Sequence, residues 1–182
     1  MVFADKKEAR AYIREQKKLS SRERNDGLSN GVCRSVISDG VWRSAGVVVL
    51  YHALPDEVDT KRLLDNALHT GKRVLLPKVV GDDLELRVYE GQASLTLGAF
   101  GIIEPDGPLF PQDEYDKVDL VVVPGMAFDA YFNRLGRGKG YYDRLLPRLP
   151  RAYRMGICFP YQMTAQLPRE EHDIRMNEVI WK

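Results

Sequence analysis

The sequence predicts an α/β protein with an open, three-layer, Rossmann-like architecture: a mostly parallel, mixed sheet carrying helices on both faces. Three observations predict it. Between Gly46 and Val80 a β-branched run, a segment with helical spacing and a second strand-like run follow one another, and such a βαβ unit favours a parallel sheet with helices on its faces. Val118 to Val123 is apolar but for Asp119, as a central strand covered on both sides would be. Leu84 to Tyr89 instead alternates apolar and polar residues, the pattern of a half-buried edge or antiparallel strand. A sheet of six or seven strands is expected.

Each element has its own signal. Asp5 to Lys18 contains mostly good helix formers, with Ala9 and Ile13 on one side and Lys6, Arg10, Arg14 and Lys17 elsewhere, giving a basic amphipathic helix. Ser20-Ser21-Arg22-Glu23 supplies an N-cap for a second helix running towards Ile37 and broken by Ser38-Asp39-Gly40. Gly46 to Leu50 is the first strand, Asp59 to Thr70 a helix ending at Gly71, and Arg73 to Val80 the second strand. From Gly98 to Pro111 there are too many glycines and prolines for a regular element, so a long ordered loop is expected. Tyr141 to Leu146 reads as a helix stopped by Pro147 and Pro150, Tyr153 to Phe159 as a strand, and Glu178 to Trp181 as the last strand.

A chain of 182 residues fits one core, so residues 1–182 form a single domain. The 27 basic and 26 acidic side chains leave almost no net field, which argues against general nucleic-acid binding. Cys33 and Cys158 lack ligand-like spacing and read as small apolar packing groups. The amino terminus turns polar too soon for a signal peptide, and no apolar run approaches the roughly 20 residues of a membrane span. A cytoplasmic monomer without membrane or nucleic-acid partners is expected.

The chemistry concentrates in Arg134-Leu135-Gly136-Arg137-Gly138-Lys139-Gly140-Tyr141-Tyr142-Asp143, entered soon after the most apolar strand ends at Pro124. Ligands of open α/β sheets collect beyond the carboxyl ends of strands. Alternating glycines let backbone N–H groups approach an anion while Arg137 and Lys139 project from the same residues, and a helix starting near Gly140 would add its positive end. The segment is neither a Walker A loop nor a dinucleotide fingerprint: position 133 is Asn, Lys139 is followed by Gly140, and the glycine spacing differs from GxGxxG. Glycines and cations alone would equally suit a solvated surface loop. Tyr141 and Tyr142 add a stacking surface, and Asp143 adds a hard oxygen ligand for magnesium beside the phosphate site.

Pro124-Gly125-Met126-Ala127-Phe128-Asp129, followed by Arg134 to Arg144, resembles the signature of the 5-formyltetrahydrofolate cyclo-ligase family. Further landmarks occur in the family's order: Lys6-Lys7-Glu8-Ala9-Arg10, Leu54-Pro55-Asp56-Glu57-Val58-Asp59-Thr60, Gly101-Ile102-Ile103-Glu104-Pro105, and Leu167-Pro168 with His172-Asp173. The resemblance spans essentially the whole chain. Phe132 departs from it, standing where the family has glycine, and Asn177 occupies a position where an acidic residue is common.

The resemblance implies cyclisation of 5-formyltetrahydrofolate to 5,10-methenyltetrahydrofolate with ATP and Mg²⁺, by phosphorylation of the formyl oxygen. It implies Lys139 and Arg137 as catalytic cations. It implies ATP contacts from Lys6, Lys7, Arg10, Arg134, Leu135, Gly136, Arg137, Gly138, Lys139, Gly140, Tyr141 and Tyr142. Folate would meet His52, Glu57, Arg137, Gly138, Lys139, Gly140 and Tyr141, and Asp143 with Asp173 would carry magnesium. Taken alone, Lys6 and Arg10 read as a solvated helix face, Glu57 as turn chemistry, Tyr141 and Tyr142 as core packing, and His172 as a surface residue outside catalysis. Two rivals remain: a nucleotide- or RNA-binding module without catalysis, and a kinase or ligase acting on another small carboxamide or amine.

Overall fold

The computed structural model describes residues 2–98 and 101–182. Helix α1 (Lys6–Lys18) starts at Asp5, whose carboxylate accepts from the Glu8 N–H, and buries Ala9 and Ile13. Helix α2 (Arg22–Ser38) starts at Ser21, whose hydroxyl accepts from the Arg24 N–H. Asp39 ends α2 as expected, but its side chain also accepts from the Val41 N–H and caps a further short helix, α3 (Gly40–Ser44), which the sequence reading missed. Its Trp42 is buried and donates to Asn66, locking α3 onto the next helix.

Strand β1 (Val47–Val49), helix α4 (Lys61–His69) and strand β2 (Arg73–Val80) form the expected βαβ unit with parallel strands. Strand β3 (Asp83–Tyr89) returns antiparallel along β2 and forms one edge, as its alternation predicts. Strand β5 (Ile103–Pro105) lies inside the region expected to be irregular and pairs antiparallel with β4 (Leu95–Leu97), which precedes that region. An isolated two-stranded ribbon has free edges that accept Pro105, which a central strand would not. Ala99 and Phe100, also in that region, lie outside the described residues.

Strand β6 (Leu120–Val123) begins two residues later than the apolar run suggests, because Asp119 accepts from the Gly46 and Val47 N–H groups and fixes the entry to β1. Strands β7 (Ala127–Asp129) and β8 (Arg134–Leu135) form an antiparallel pair, followed by helix α5 (Tyr141–Leu145) and a 3₁₀ turn through Pro147. Strand β9 (Tyr153–Cys158), the two-residue β10 (Met163–Thr164) and β11 (Glu178–Trp181) complete the chain. The main sheet runs β11-β9-β6-β1-β2-β3, all parallel except β3; β10, β7 and β8 form a small second sheet.

Strand alternation separates two cores. Val48, Leu50, Leu120 and Val122 face α2, α3 and α4, whereas Val49, Val121 and Val123 face the layer of Leu145, Leu146, Phe110 and Tyr115. Helices thus cover both faces, although the second layer consists of short helices and turns. Helix α1 packs apart, with Ala9 and Ile13 against Met126, Ala127 and Leu135 of the small sheet. Phe128 lies so close to Gly156 that a Cβ there would fall 2.5 Å from its ring, fixing β7 onto β9. Both cysteines are buried and unbonded to each other, and burial pushes the Cys33 thiol up to about 12. No helix among the described residues is long and apolar enough to cross a membrane.

The two departures from the family pattern have structural counterparts. The Asn177 side chain accepts from the backbone and the guanidinium of Arg154, a contact that an amide oxygen satisfies. Phe132 has φ +62°, in the left-handed region that glycine occupies without penalty. Phe132→Gly is therefore expected to raise stability by about 0.5–1 kcal/mol, net of the added freedom of the unfolded chain. Thermal unfolding checks this; Phe132→Ala, which keeps the strain, gives no such gain.

Candidate active site

The strand order places the site. From β1 the chain winds one way, through α4 to β2, and from β6 it winds the other way to β9, so neighbouring β1 and β6 mark a topological switch point. Helix α4 lies on one face and α5 on the other, so the connections diverge and open a crevice beyond these two strands. Tyr51 and His52 after β1, and Pro124 and Gly125 after β6, line a cleft of about 630 Å³ there.

The glycine segment forms one wall. Arg134 ends up inside the protein, its side chain 5% exposed, donating to Asp143 at 3.1 Å and to the Pro124 carbonyl, with its guanidinium over the Tyr142 ring. Gly138 and Gly140 have φ of +105° and +69°, so the turn is built on glycine conformations. Helix α5 starts at Tyr141 as expected, but five residues give it no appreciable macrodipole. Backbone amides and the cations that line the cleft, Lys139 and Arg10 among them, are what the site offers an anion.

The sequence-derived candidates converge on this cleft. Lys6, Arg10, His52, Glu57, Arg134, Gly136, Arg137, Gly138, Lys139, Gly140, Tyr141, Tyr142, Asp143 and Asp173 all line it. Two candidates do not. Leu135 is a core residue packed against α1, and Lys7 is exposed on α1 away from the cleft. Lys7 neighbours Lys6, and successive residues of a helix point in different directions. Lys6 and Arg10, four apart, share the face turned to the cleft, and Arg10 donates to the Gly136 carbonyl at 2.9 Å.

Most cations here are already matched by carboxylates. Arg137 bonds Asp56 at 2.6 Å and Glu57 at 3.0 Å. The other Glu57 oxygen accepts from the Leu54 N–H, so Glu57 both closes its turn and lines the cleft. Arg144 pairs with Asp83 and lies over the Tyr141 ring. Among the described residues Lys139 has no ion-pair partner. Burial, and after it the Glu57 carboxylate, pushes the Tyr142 hydroxyl far above its ordinary value, so it remains a neutral donor.

An acidic corner closes the far end. Lys6 bridges Glu170 at 2.6 Å and Asp173 at 2.7 Å. Glu170, His172 and Asp173 present ligand atoms within 4.8 Å of one another. Glu170 escaped the sequence reading; its only signal was its place three residues before Asp173, where its N–H donates to the Asp173 carboxylate. Asp56 and Lys17 escaped as well, because their pairing joins residues 39 positions apart.

Fold and cleft together define an α/β protein with a cationic, glycine-built crevice at its sheet's switch point. Residues 2–182 match the 5-formyltetrahydrofolate cyclo-ligase family, and the chain belongs to it; it is a ligase. Curated relatives include a probable 5-formyltetrahydrofolate cyclo-ligase of Schizosaccharomyces pombe, 32% identical over 85% of this chain and 84% of that protein. The 5-formyltetrahydrofolate cyclo-ligase of Mus musculus is 28% identical over 100% of this chain and 95% of its own. Among solved structures, the Aquifex aeolicus 5,10-methenyltetrahydrofolate synthetase superposes with a TM-score of 0.84 at 35% identity, covering 97% of this chain and 89% of that one.

The acidic corner titrates in a defined direction. Burial opposes the Lys6 charge, but Asp173 and Glu170 raise its pKa overall; burial likewise opposes the Asp173 charge, yet the Glu170 N–H and Lys6 hold its pKa below the usual 3.8. A lowered carboxylate contributes stability above its unfolded value and loses it as pH falls through the folded one, whereas the Lys6 contribution is lost only above 10.5. Urea unfolding between about pH 2 and pH 6 is expected to show stability falling below about pH 4, and falling less steeply in Lys6→Met.

Proposed function

We propose that the chain catalyses ATP- and Mg²⁺-dependent cyclisation of 5-formyltetrahydrofolate to 5,10-methenyltetrahydrofolate, releasing ADP and phosphate through phosphorylation of the formyl oxygen. The observation that carries this reading is Lys139: it stands in a glycine turn at the cleft with no ion-pair partner among the described residues, while Arg134, Arg137 and Arg144 are each matched by a carboxylate. An unmatched cation beside exposed amides suits a transferring phosphoryl group. The family and the Aquifex aeolicus synthetase support the folate substrate.

A formamide oxygen is a poor leaving group. Transfer of the γ-phosphoryl group to that oxygen gives an iminophosphate; nitrogen 10 of the folate then attacks the formyl carbon and gives up its proton to solvent, and the carbon–oxygen bond breaks to release phosphate. Such catalysis is positioning and charge neutralisation, with no need for a protein nucleophile. Lys139 and Arg137 would neutralise the phosphoryl group and the amides of Gly136, Gly138 and Gly140 would cradle its oxygens. Lys6 and Arg10 would face the remaining nucleotide phosphates. Glu57 and His52 would meet the pteridine ring, and Tyr141 offers a face for stacking.

The oxygens that stand together for a hard cation are those of Glu170 and Asp173, with His172 beside them, while Asp143 lines the cleft outside that cluster. Asp143 and Asp173 both line the cleft, and Glu170 adds a third carboxylate beside Asp173. Bound there, Mg²⁺ would neutralise phosphate charge and help align the nucleotide. The buried Arg134 orients Asp143 through its 3.1 Å contact, a supporting role and not a phosphate contact of its own.

Folded protein incubated with 5-formyltetrahydrofolate, ATP and Mg²⁺ is expected to generate the absorbance of the methenyl product, and chelation of the metal should stop it; absence of product overturns the reading. Lys139→Ala is expected to lower kcat by about 100-fold with KM little changed, since its charge is felt most in the transition state. Glu57→Ala should chiefly raise KM for folate, about tenfold, through lost ground-state contacts.

A further inference from the structure

Arg137 is not held by the glycine turn that carries it. Its guanidinium reaches 81 residues back in sequence to Asp56 and 80 residues back to Glu57, in the loop that follows β1. Glu57 lines the cleft, whereas Asp56 does not. The two Asp56 oxygens do different things: Oδ1 accepts from Arg137 at 2.6 Å, and Oδ2 accepts from Lys17 at 2.7 Å. Lys17 projects from α1 with its side chain only 12% exposed, and the same helix, two turns earlier, sends Arg10 to the Gly136 carbonyl. Helix α1 therefore grips the glycine turn directly through Arg10 and indirectly through Lys17, Asp56 and Arg137.

We infer that Asp56, anchored by Lys17, is a positioning residue for the phosphoryl-transfer step: it touches neither substrate and acts by fixing the Arg137 guanidinium between the phosphate turn and the folate loop. The inference rests on the proposed function, because Arg137 matters to the rate only if a phosphoryl group passes beside it. A flexible arginine on a glycine turn has many rotamers, and side-chain placement within a fraction of an ångström decides how much charge stabilisation reaches the transition state. Two anchors on one guanidinium remove that freedom. Glu57 alone could not do so while also meeting the pteridine ring.

Magnitudes separate this role from a structural one. The Asp56 and Arg137 side chains are 42% and 44% exposed, and a pair so solvated contributes little to stability. The same pair can govern about tenfold in rate through geometry. A structural pair would shift the melting temperature and leave kcat alone; a positioning pair does the reverse.

The test combines kinetics with a measurement that needs no turnover. Asp56→Asn and Lys17→Met are each expected to lower kcat, Asp56→Asn by about tenfold, with both KM values within about twofold and the melting temperature within a few degrees. Asp56→Asn/Arg137→Ala should lose no more than Arg137→Ala alone, because both changes break one device. Asp65→Asn, which breaks the exposed Lys61–Asp65 pair, should leave kcat unchanged. Losses that multiply in the double variant, or an unchanged kcat in Asp56→Asn, overturn the inference. By NMR, the guanidinium N–H signals of Arg137, assigned by their loss in Arg137→Lys, should be slow to exchange in the wild type and fast in Asp56→Asn. Equal exchange in both overturns the positioning role. A wild type that forms no methenyl product overturns the proposed activity instead, and the NMR comparison still decides whether Asp56 holds Arg137.

Discussion

The site depends first on the carboxylate of Asp129. It is 1% exposed and accepts four hydrogen bonds, from the Tyr131 and Asn133 N–H groups, the Asn133 side chain and the Leu167 N–H. A carboxylate taken out of water costs several kcal/mol unless its lone pairs are met, so these donors are not free to move. They force the 129–133 segment into a tight return, place Phe132 in a left-handed conformation, and bring β8 back beside β7 so that the chain enters the glycine turn in one orientation. The bond to Leu167 ties the same carboxylate to the segment leading to Glu170 and Asp173. One buried group thus sets the glycine-turn wall of the cleft and the approach to the acidic corner together.

Charge governs what the wall can bind. A cleft with this many cations would repel itself, and the fold resolves this by giving most of them a carboxylate, often from a distant part of the chain: Arg137 to Asp56 and Glu57, Lys6 to Glu170 and Asp173, Arg134 to Asp143. Pairing fixes these side chains but spends their charge locally, because in a solvated pair the remaining field is small. Lys139 retains its charge in full. The result is a framework of oriented, neutralised cations around Lys139 and Arg10, which have no carboxylate partner among the described residues and are available to an anionic guest.

The sheet was legible in the sequence because its signals are local. A continuous apolar run marks a strand buried on both faces, an alternating run marks an edge, and β6 and β3 follow those rules. The small sheet of β7, β8 and β10 was not legible, since strands of two or three residues carry too little periodicity and are held by the Asp129 carboxylate and by Gln162, whose amide donates to the Gly125 and Met126 carbonyls. Helix α3 was hidden because Asp39 both ends one helix and starts the next. In the site, residues of the glycine motif could be named from their spacing and the family resemblance, but Asp56, Lys17 and Glu170 could not, because their roles come from long-range pairing. Leu135 differs again: the motif places it beside the site, while its apolar side chain belongs to the core beneath α1.

The brevity of α5 sharpens the chemistry assigned to the turn. A long helix behind a glycine loop binds phosphate through its aligned peptide dipoles, and such binding acts alike on substrate and transition state. Five residues after Gly140 cannot do that. On the proposed reading, the turn relies on individual amides around its positive-φ glycines and on the Lys139 side chain. Groups already aimed at where charge develops stabilise the transition state more than the ground state, and only that difference raises the rate. A short helix on a glycine turn, steadied from outside by α1, therefore suits group transfer better than tight nucleotide retention.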